Sequence, residues 1–374
     1  MLLIWQLDIR QIFSNFISEV ETAMVATSFS NGDEEMQYLA MQTHDIRTNL
    51  ATEEYLMNSG VMTPPFMLFY IEKPCIIVGR NQNTVEEINE DYCKQHGITI
   101  TRRLSGGGAM YQDLGNLCFS FIVPADRQRF GDFKTLVQPI VDALHEMGAT
   151  GAEVTGRNDI VIDGKKFSGN AMYTRNGKTF CHGTLMFDVD TNAVAGALKV
   201  PKDKIESKGI KSVRSRVTNL KPYLKPKFQN LDTAGFRDEL IKRIYHVDDL
   251  SQAQINEYQL TSKDQQAIHQ IETDRYRDWD WVFGQSPAFT VKKRKHFDAG
   301  TIDARFEVQD GKIKMAKIYG DFFGVEDVRQ LEKALIGKPY DVDAITKVLR
   351  SFDLNKFFNG IPTNDVIELI AHQH

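Results

Sequence analysis

The stretch RRLSGGGAMY at residues 102–111 restricts the fold more than any other part of the sequence. The β-branched residues at 98–101 predict a strand directly before it. Three glycines after a strand let the backbone approach a ligand closely and turn its N–H groups toward an anion. Arg102 and Arg103 would add forked donors that suit phosphate or carboxylate. The stretch therefore indicates an anion-binding loop, with an ordinary glycine loop as the alternative.

The sequence excludes two common phosphate loops and offers one further candidate. The glycines are not followed by Gly-Lys-Ser/Thr, so they do not form a Walker A loop, and they lead into a strand-like segment, which excludes a Rossmann fingerprint. The strongly basic segment KIESKGIKSVRSRVTNL at 204–220 carries interleaved serines and suits a mobile loop that closes over phosphates. A solvated, charged connection is the alternative for this segment.

A pair of lysines lies in the segment GRNDIVIDGKKFSGNA at 156–171. Because side chains alternate between the faces of a strand, we expect Lys166 and Ser168 on one face and Lys165 and Phe167 on the other. Lys166 would point into a pocket, for which the small residues that follow leave room, while Lys165 would reach solvent. An exposed hairpin lysine at both positions is the alternative.

The whole chain alternates helical and strand patterns, which predicts an α/β (α+β) fold. A tight turn is expected between the first two strands, and Asp163-Gly164 predicts a hairpin with a type I′ turn. Strands are predicted at 66–71, 75–78, 98–101, 117–123, 159–162, 165–167, 184–189, 301–308 and 313–319. Helices are predicted at 49–58, 86–96, 133–147, 193–198, 234–245, 263–276, 325–335, 342–351 and 364–374.

The length of 374 residues favours two domains. A boundary is expected near 285–295, where Pro287 and a basic cluster at 292–295 fall. This gives a large domain at 36–288 and a small C-terminal domain at 295–374. The basic cluster itself is expected to be a solvated linker or the edge of a strand.

Residues 1–35 form a predicted N-terminal extension. Their apolar residues follow a roughly helical spacing, but a basic n-region is lacking and Asp8 and Arg10 interrupt the apolar run. A signal peptide or a membrane span is therefore not expected. Two interpretations are open: a short amphipathic or disordered extension, or translation that starts at Met36.

Charge and cysteine content exclude several classes of protein. The net charge of −5 argues against a general polyanion binder, and the segment at 204–220 lacks the aromatics that stack on bases, so no nucleic-acid partner is expected. Cys75, Cys93, Cys118 and Cys181 form no CxxC pair, which fits a reducing cytosol better than a disulfide framework or zinc site. We therefore expect a cytoplasmic protein with no membrane partner.

Taken together, these segments resemble the lipoate–protein ligases. The motifs occur in the expected order from about residue 38 to the C-terminus. They are GRNQNT at 79–84, RRLSGGGAMYQDLGN at 102–116, GRNDIVIDGKKFSGNA at 156–171, HGTLMF at 182–187, KIESKGIKSVRSRVTNL at 204–220, WDWVFGQSPAF at 279–289 and KIYGDFF at 317–323. The resemblance implies a catalytic domain with the biotin/lipoate ligase fold, related to class II aminoacyl-tRNA synthetase cores, and a small C-terminal α/β accessory domain.

The resemblance also implies an ATP-dependent ligase of the bacterial two-domain type. Lipoate would react with ATP to give lipoyl-AMP and pyrophosphate, and the lipoyl group would pass to a lysine of a carrier domain. The implied carriers are apo lipoyl domains of 2-oxoacid dehydrogenase E2 subunits, the glycine-cleavage H protein, or both, with Mg²⁺ as cofactor beside ATP. Lipoate is ionised near pH 7, so its attack on the α-phosphate needs neutralising charge rather than a general base.

Carried over position by position, the resemblance implies a set of site residues. The catalytic residue is Lys166, which is expected to meet both the lipoyl carbonyl and the α-phosphate. Contacts to ATP or the adenylate are implied for Arg103, Gly108, Ala109, Met110, Tyr111, Lys166, Asn83 and Asp159. Contacts to lipoate are implied for Arg103, Ser105, Gly106, Gly107, Gly108, Lys166, Ser168 and His182. Two positions depart from the family: Gln112 replaces a frequent histidine that has been a candidate proton acceptor, and Thr84 replaces an occasional proline.

Three other functions are compatible with parts of the pattern. An octanoyl- or lipoyl-transferase would keep the fold and act through a cysteine thioester without ATP, for which Cys181, beside His182, is the candidate. A biotin ligase would share the fold, but the sequence lacks its arginine-rich glycine loop. A regulatory protein that binds lipoyl carriers would need no turnover, and the presence of Lys166 argues against it.

Overall fold

The computed structural model describes residues 36–125, 130–156, 158–199, 217–283, 291–309 and 311–371, with the side chain of Val85 excepted. The predicted N-terminal extension at 1–35 lies outside these residues, and so does most of the basic segment at 204–220. The same holds for residues 284–290 at the predicted domain boundary and for the end of the last predicted helix.

Three β-sheets organise the described residues. Their strands are β1 (Gln37–Ala40), β2 (Phe66–Ile71), β3 (Cys75–Val78), β4 (Thr99–Arg102), β5 (Met110–Gln112), β6 (Asn116–Pro124), β7 (Glu153–Thr155), β8 (Asp159–Ile162), β9 (Lys165–Arg175), β10 (Lys178–Met186), β11 (Val291–Phe297), β12 (Gly300–Gln309) and β13 (Lys312–Gly320). The large sheet has the order β1-β2-β6-β10-β9-β8-β7, and the two small sheets have the orders β4-β3-β5 and β11-β12-β13. β1 is parallel to β2 and β3 to β4, whereas the other pairs are antiparallel.

Helices pack against these sheets, which confirms the predicted α/β (α+β) class. They are α1 (Ile46–Ser59), α2 (Thr84–Glu87), α3 (Glu90–Gln95), α4 (Phe133–Met147), α5 (Thr191–Ala197), α6 (Pro226–Gln229), α7 (Thr233–Ile244), α8 (Leu250–Ala253), α9 (Ser262–Ile271), α10 (Trp279–Val282), α11 (Arg329–Leu335), α12 (Val342–Arg350) and α13 (Thr363–Ala371). Within the described residues, no helix combines the length and the apolar character that crossing a bilayer requires.

Helix α4 has the predicted bounds because a capping residue lies at each end. The side chain of Asp132 accepts a hydrogen bond from the backbone N–H of Thr135 (3.1 Å), which caps the start, and Gly148 ends the helix with a φ of 117°. Ile140 and Leu144, four residues apart on one face, are fully buried in the main core. Burial of each such side chain stabilises the fold by about 1.5–3 kcal/mol.

The strands at 66–71 and 75–78 have the predicted bounds, but the tight turn between them does not make a hairpin. β2 lies between β1 and β6, so the hydrogen-bonding groups on both of its edges are already occupied. The chain therefore leaves the large sheet after β2 and enters a second sheet, where β3 pairs with β4 and β5. This second sheet supports the glycine stretch.

The helix predicted at 86–96 is in fact two short helices, α2 and α3. Ile88 is fully buried between them and forms a bridge with Leu198, which interrupts the helical hydrogen bonding. Asn89 then starts α3 by accepting a hydrogen bond from the backbone N–H of Tyr92 (3.3 Å). The single-helix prediction was wrong because Leu198, more than a hundred residues away, pairs with the backbone at Ile88.

Two hairpin turns have the geometry that their sequences predict. Asp163 and Gly164 both have positive φ angles (50° and 70°), as a type I′ turn between β8 and β9 requires. Asn176 and Gly177 (φ 50° and 74°) form the corresponding turn between β9 and β10. Because this second turn is so tight, β10 begins earlier than the predicted strand at 184–189.

The C-terminal sheet and helices α11–α13 have a hydrophobic core of their own. The basic cluster at 292–295 lies in the edge strand β11, so the strand-edge expectation is confirmed. This part of the chain contacts the segment after β3: Arg305 donates to both carboxylate oxygens of Glu86 (2.8 and 2.6 Å), and the N–H of Gly320 donates to the carbonyl of Asn81 (2.6 Å). The domain limits at 36–288 and 295–374 remain a prediction.

Candidate functional site

The glycine loop, residues 103–109, joins β4 to β5 around the end of β3. The backbone N–H of Arg80 donates a hydrogen bond to the carbonyl oxygen of Ser105 (2.9 Å), which ties the loop to the segment after β3. Gly79 lies where the two segments cross, and an added Cβ there would be 1.9 Å from the carbonyl oxygen of Gly107. Only glycine fits at this crossing.

The guanidinium of Arg103 is buried and hydrogen-bonds to the glycine loop. It donates hydrogen bonds to the carbonyl oxygens of Ile77 (3.2 Å), Gly106 (2.7 Å) and Gly108 (2.8 Å), and to the hydroxyl of Ser105 (3.0 Å). Burial lowers the pKa of Arg103 to about 10, so the side chain is still charged at neutral pH. All of these donors are engaged with the loop and with β3. The predicted contacts of Arg103 to ATP and lipoate remain predictions.

Arg102 does not offer a fork to an anion, contrary to the sequence prediction. Its guanidinium donates to the carbonyl oxygens of Gly79 (2.8 Å), Arg80 (2.9 Å), Gln82 (2.7 Å) and Trp281 (2.8 Å). Burial lowers the pKa of Arg102 to about 10. Arg102 therefore shapes the segment after β3, a role that adjacency to a glycine run does not reveal.

The three glycines differ in what surrounds them. A Cβ on Gly106 would lie 2.4 Å from the carbonyl oxygen of Phe322, and one on Gly107 would lie 3.2 Å from the ring of Phe323. Both phenylalanines belong to the C-terminal part of the chain. Within the described ranges, a Cβ on Gly108 would have no neighbour within 4 Å. Close packing thus explains Gly106, and the positive φ of 89° explains Gly107. Among the described residues, Gly108 alone of the three borders open space.

The other residues predicted to bind the nucleotide lie at two places. Ala109, Met110 and Tyr111 continue from the loop into β5 and are half-buried. Burial raises the pKa of Tyr111, so its phenol stays neutral at physiological pH. Asn83 precedes α2 and is buried, and its Oδ1 has no hydrogen-bond partner among the described residues. A buried acceptor without a partner is uncommon in folded proteins and needs an explanation.

His182 on β10 lies behind the glycine loop. Its Nε2 is 2.7 Å from the hydroxyl of Ser105, and its Nδ1 is 3.1 and 3.0 Å from the carboxylate oxygens of Glu53 on α1. All three side chains are buried. The sequence prediction omitted Glu53. The local sequence held no clear signal for it, since runs of polar residues such as 52–54 also occur on the exposed side of amphipathic helices.

A β-bulge at Phe167 determines which way Lys166 points. Ser168 lies opposite Ile160 and Lys166 lies opposite Val161, so Phe167 is an extra residue between the two pairs. Ser168 therefore shares the core face with Ile160, and Lys166 lies on the other face. The prediction that Lys166 and Ser168 share a face is wrong, because regular alternation does not continue through a bulge.

The bulge places Lys166 on the face of the large sheet that also carries His182. The Lys166 side chain passes over Gly169, where an added Cβ would lie 2.9 Å from its Nζ. Gly169 and Ala171 are on the same face of β9, and Ala171 lies opposite His182 on β10. Without the extra residue, Lys166 would point into the core.

Lys166 forms an ion pair with Asp159. Its Nζ lies 2.7 Å from Oδ1 of Asp159, and the two side chains are 40% and 39% exposed, so both remain accessible to a ligand. The carbonyl of Lys166 accepts a hydrogen bond from the backbone N–H of Thr218 (2.9 Å). The described end of the segment at 204–220 therefore lies beside Lys166. Lys165 is exposed, as predicted.

Apart from Asn83, which precedes α2, and Ser168, the predicted site residues thus fall into two groups on one side of the sheet. One is the glycine loop with His182 behind it, and the other is Lys166 with Asp159. No hydrogen bond joins the two groups in the described part of the chain. Ser168 belongs to neither group, because it is buried on the core face and accepts a hydrogen bond from Asn170 (3.3 Å).

Cys181 is not placed as a nucleophile. It is fully buried in the main core, and burial raises the pKa of its thiol far above the ordinary range. His182 follows it on the strand and points to the opposite face, toward Ser105 and Glu53. The two residues therefore form no cysteine–histidine pair, and the thioester alternative loses its candidate residue.

Sequence comparisons place both parts of the chain in one family. The profile of the lipoyl protein ligase A/B catalytic domain matches residues 45–245, and that of the bacterial lipoate protein ligase C-terminus matches residues 286–370. The lipoate-protein ligase LplJ of Bacillus subtilis is 48% identical over 327 residues, which cover 87% of this chain and 97% of that protein.

Two solved structures share the fold. A lipoate-protein ligase A bound with ATP superimposes with a TM-score of 0.54 and 27% identity, covering 67% of this chain and 99% of its own. A bi-partite lipoate protein ligase from Thermoplasma acidophilum, described with its E2 lipoyl domain, superimposes with a TM-score of 0.57 and 29% identity, covering 69% and 99%. These likenesses confirm the predicted fold of the catalytic part.

Proposed function

Because this chain belongs to the lipoate–protein ligase family, we propose that Lys166 and the glycine loop carry out its adenylation step. The enzyme is an ATP-dependent ligase that activates lipoate as lipoyl-AMP and transfers the lipoyl group to a lysine of a lipoyl domain. One observation carries the assignment of Lys166: the bulge at Phe167 turns it toward the face that holds His182 and the loop.

In the first half-reaction, two anions must approach each other. A carboxylate oxygen of lipoate attacks the α-phosphorus of ATP, and the bond from that phosphorus to the bridging oxygen breaks, which releases pyrophosphate. Lys166 is a half-exposed ammonium that can donate to the lipoyl carbonyl oxygen and to an α-phosphate oxygen. One such donor aimed at developing charge is typically worth about 3–4 kcal/mol.

Asp159 orients the ammonium of Lys166 before substrate binds. Their 2.7 Å ion pair restrains a side chain that otherwise has many conformations. In the second half-reaction the carrier lysine attacks the lipoyl carbonyl, AMP leaves, and the attacking amine loses a proton. We assign to Asp159 the task of orienting that amine or accepting its proton, since it is the carboxylate in contact with Lys166.

Mg²⁺ is proposed as the companion of ATP. Within the described ranges, no three histidine, cysteine, aspartate or glutamate side chains cluster closely enough to hold a metal ion. Mg²⁺ commonly uses one or two carboxylates together with substrate phosphates, and Asp159 fits that donor set. The ion, when bound, neutralises phosphate charge.

The nucleotide is proposed to lie along the loop at its open end. Gly108 borders open space, so phosphate can approach the backbone there, and the following residues 109–111 continue along the same side. Arg103 supports this backbone from behind. We assign Asn83 to the base, because its unpartnered Oδ1 can accept from an exocyclic amine after a small side-chain movement.

The acyl chain of lipoate is proposed to lie between the glycine loop and the large sheet. One hydrophobic cluster brings together Tyr70 of β2, Ile77 of β3, Leu104 of the loop and Cys118 of β6. These residues are apolar and buried, and we propose that they line the slot for the dithiolane end. Ser105 and His182 lie at the loop end of this surface.

The carriers and the compartment are proposed from the same assignment. The acceptors are lipoyl domains of E2 subunits, and we include the glycine-cleavage H protein as a second acceptor. The four cysteines are all free thiols in the structure, consistent with the proposed cytoplasmic location. No role in binding nucleic acid or membranes is proposed.

The decisive experiment is lipoylation of an apo lipoyl domain by the full chain, followed by intact mass. We expect a lipoyl mass increase that requires ATP, with release of AMP and pyrophosphate. Octanoate as a competitor measures whether the enzyme prefers an acyl chain with the dithiolane ring. Apo H protein as a second acceptor measures the preference for the carrier. Transfer from an acyl carrier without ATP, or no modification in the presence of ATP, would contradict the proposal.

A further inference from the structure

The hydrogen bonds behind the glycine loop form a continuous chain whose first direction is fixed by chemistry. The Nε of Arg103 can only donate, so the hydroxyl of Ser105 accepts there (3.0 Å). The hydrogen of Ser105 is then free to point at Nε2 of His182 (2.7 Å), which accepts it when Nδ1 carries the ring proton. That proton faces the carboxylate of Glu53 at 3.0 Å. The chain of bonds thus runs from a buried cation to a buried carboxylate.

Glu53 supplies the last acceptor of this chain and comes from a different element. It lies on α1, is 3% exposed, and contacts His182 through both of its carboxylate oxygens. A carboxylate orients an imidazole N–H strongly, and it disfavours the tautomer that would place a lone pair opposite it. The orientation of the His182 ring, and so the acceptor offered to Ser105, depends on Glu53.

We propose that Glu53 is a positioning residue for adenylation. By holding His182 with its proton on Nδ1, Glu53 fixes the hydroxyl of Ser105 and, through Arg103, the backbone at 106–108. The proposal rests on the adenylation function of the loop given above. Glu53 reaches the loop through His182, and in this way it acts on the shape of the surface that phosphate and carboxylate meet.

The neighbouring Glu54 provides a matched control. It is 5% exposed, so it is buried nearly as deeply as Glu53. Its carboxylate accepts from the phenol of Tyr276 (3.0 Å) and pairs with Arg275 (3.1 Å). In the described part of the chain it makes no bond to the glycine loop. Substitution of Glu54 therefore removes an equally buried negative charge from the same helix without disturbing the chain to Ser105.

The test compares Glu53→Gln with Glu54→Gln in the full chain. ATP–pyrophosphate exchange with lipoate measures adenylation, and ¹⁵N spectra of histidine-labelled protein report the tautomer of His182, identified by its loss in His182→Gln. For Glu53→Gln we expect at least a tenfold fall in kcat/KM and a shift of the His182 resonances. For Glu54→Gln we expect kcat/KM within twofold of the parent and unchanged resonances.

Three results would overturn the positioning role. They are an equal loss of kcat/KM in the two variants, unchanged His182 resonances in Glu53→Gln, or unchanged exchange despite shifted resonances. If Glu53→Gln fails to fold, Glu53→Asp keeps the carboxylate and shortens its reach, and the same two readouts apply to it. Should the parent chain itself fail to exchange pyrophosphate, the adenylation function fails, while the spectra still test whether Glu53 holds His182.

Discussion

The Nζ atom of Lys166 lies 2.7 Å from Oδ1 of Asp159, and this pair exists because β9 contains one residue more than β8 between them. The extra residue, Phe167, packs in the core and reverses the side of the sheet on which Lys166 emerges. The pair thus comes to share a face with His182. A bulge is a usual way to re-aim a side chain next to an active site.

Replacement of Lys166 by alanine is expected to remove adenylate formation while the fold is kept. Lys166 is 40% exposed and packs over a glycine, so its loss leaves no cavity in the core. A donor worth about 3–4 kcal/mol corresponds to a loss of roughly a hundred- to a thousandfold in kcat. Pyrophosphate release with lipoate and ATP measures this effect, and the melting temperature checks the fold.

Lys165→Ala is the matched control for Lys166→Ala. Lys165 is the preceding residue, carries the same charge and is exposed at the hairpin end, so we expect its removal to change kcat by less than about twofold, as is usual for a surface residue. Near-normal pyrophosphate release from Lys166→Ala would remove the catalytic assignment. Equal losses in both variants would point to charge on the hairpin rather than to one aimed amine.

Alanine at Gly79 and alanine at Gly108 are expected to act in different ways. A Cβ at Gly79 would lie 1.9 Å from a backbone oxygen, so Gly79→Ala forces the loop apart and destabilises the protein by about 1–3 kcal/mol. A Cβ at Gly108 meets no described residue within 4 Å, so we expect Gly108→Ala to keep the melting temperature. Since that methyl group occupies the proposed phosphate approach, KM for ATP should rise roughly tenfold, equivalent to about 1.4 kcal/mol.

Urea unfolding and steady-state kinetics of the two glycine variants separate these effects. An unchanged KM for ATP in Gly108→Ala would show that the open space is not where the nucleotide binds. A stable Gly79→Ala would show that the segment at 79–82 can move away from the loop at little cost. The two predictions concern different sides of the same loop, so one of them can be contradicted while the other holds.

Local sequence patterns predicted the elements well where the signal was itself local. The ends of α4 are set by Asp132 and Gly148, and the turn before β9 by Asp163-Gly164, so residues within a few positions determined them. Sheet membership was harder to predict. That β2 and β3 join different sheets depends on β1 and β6, which occupy both edges of β2 from distant parts of the chain.

The site was predicted in its residue types but not in its orientations. Whether Lys166 faces the core or the loop depends on how β9 pairs with β8, and the sequence near Phe167 does not predict a bulge. Glu53 was missed because its partner, His182, is more than a hundred residues away and helix periodicity says nothing about such a contact. Arg102 was misjudged because its acceptors are backbone carbonyls, which have no sequence signature.

Replacement of Cys181 by alanine is expected to leave ligation intact. The thiol is fully buried, its pKa is raised by burial, and its side chain points away from the site. Alanine avoids placing a hydroxyl in the core and should cost about 1 kcal/mol of stability for the small cavity. ATP-dependent lipoylation at the parental rate is the expected result. Loss of transfer with an intact melting curve would revive a thioester mechanism.

Glu72 gives the protein a pH-dependent stability through its buried carboxyl group. It is 0% exposed; Oε1 accepts from the side-chain amide of Asn49 (3.0 Å), and Oε2 has no partner among the described residues. Burial raises its pKa from 4.5 to about 8. Because the folded state holds the proton more tightly than the unfolded state, this stability is complete below about pH 4.5 and is lost as pH rises through about 8.

Glu72→Gln removes this dependence, because an amide keeps the shape and the acceptor for Asn49 but does not ionise. Each pH unit within the window corresponds to about 1.4 kcal/mol, so between pH 6 and pH 8 the parent should lose roughly 2–3 kcal/mol more unfolding free energy than Glu72→Gln. Urea titrations of both proteins at the two pH values measure the difference. Equal losses of unfolding free energy in the parent and the variant would mean that Glu72 is already ionised in the folded protein at pH 6. Its carboxylate would then need a stabilising partner in addition to Asn49.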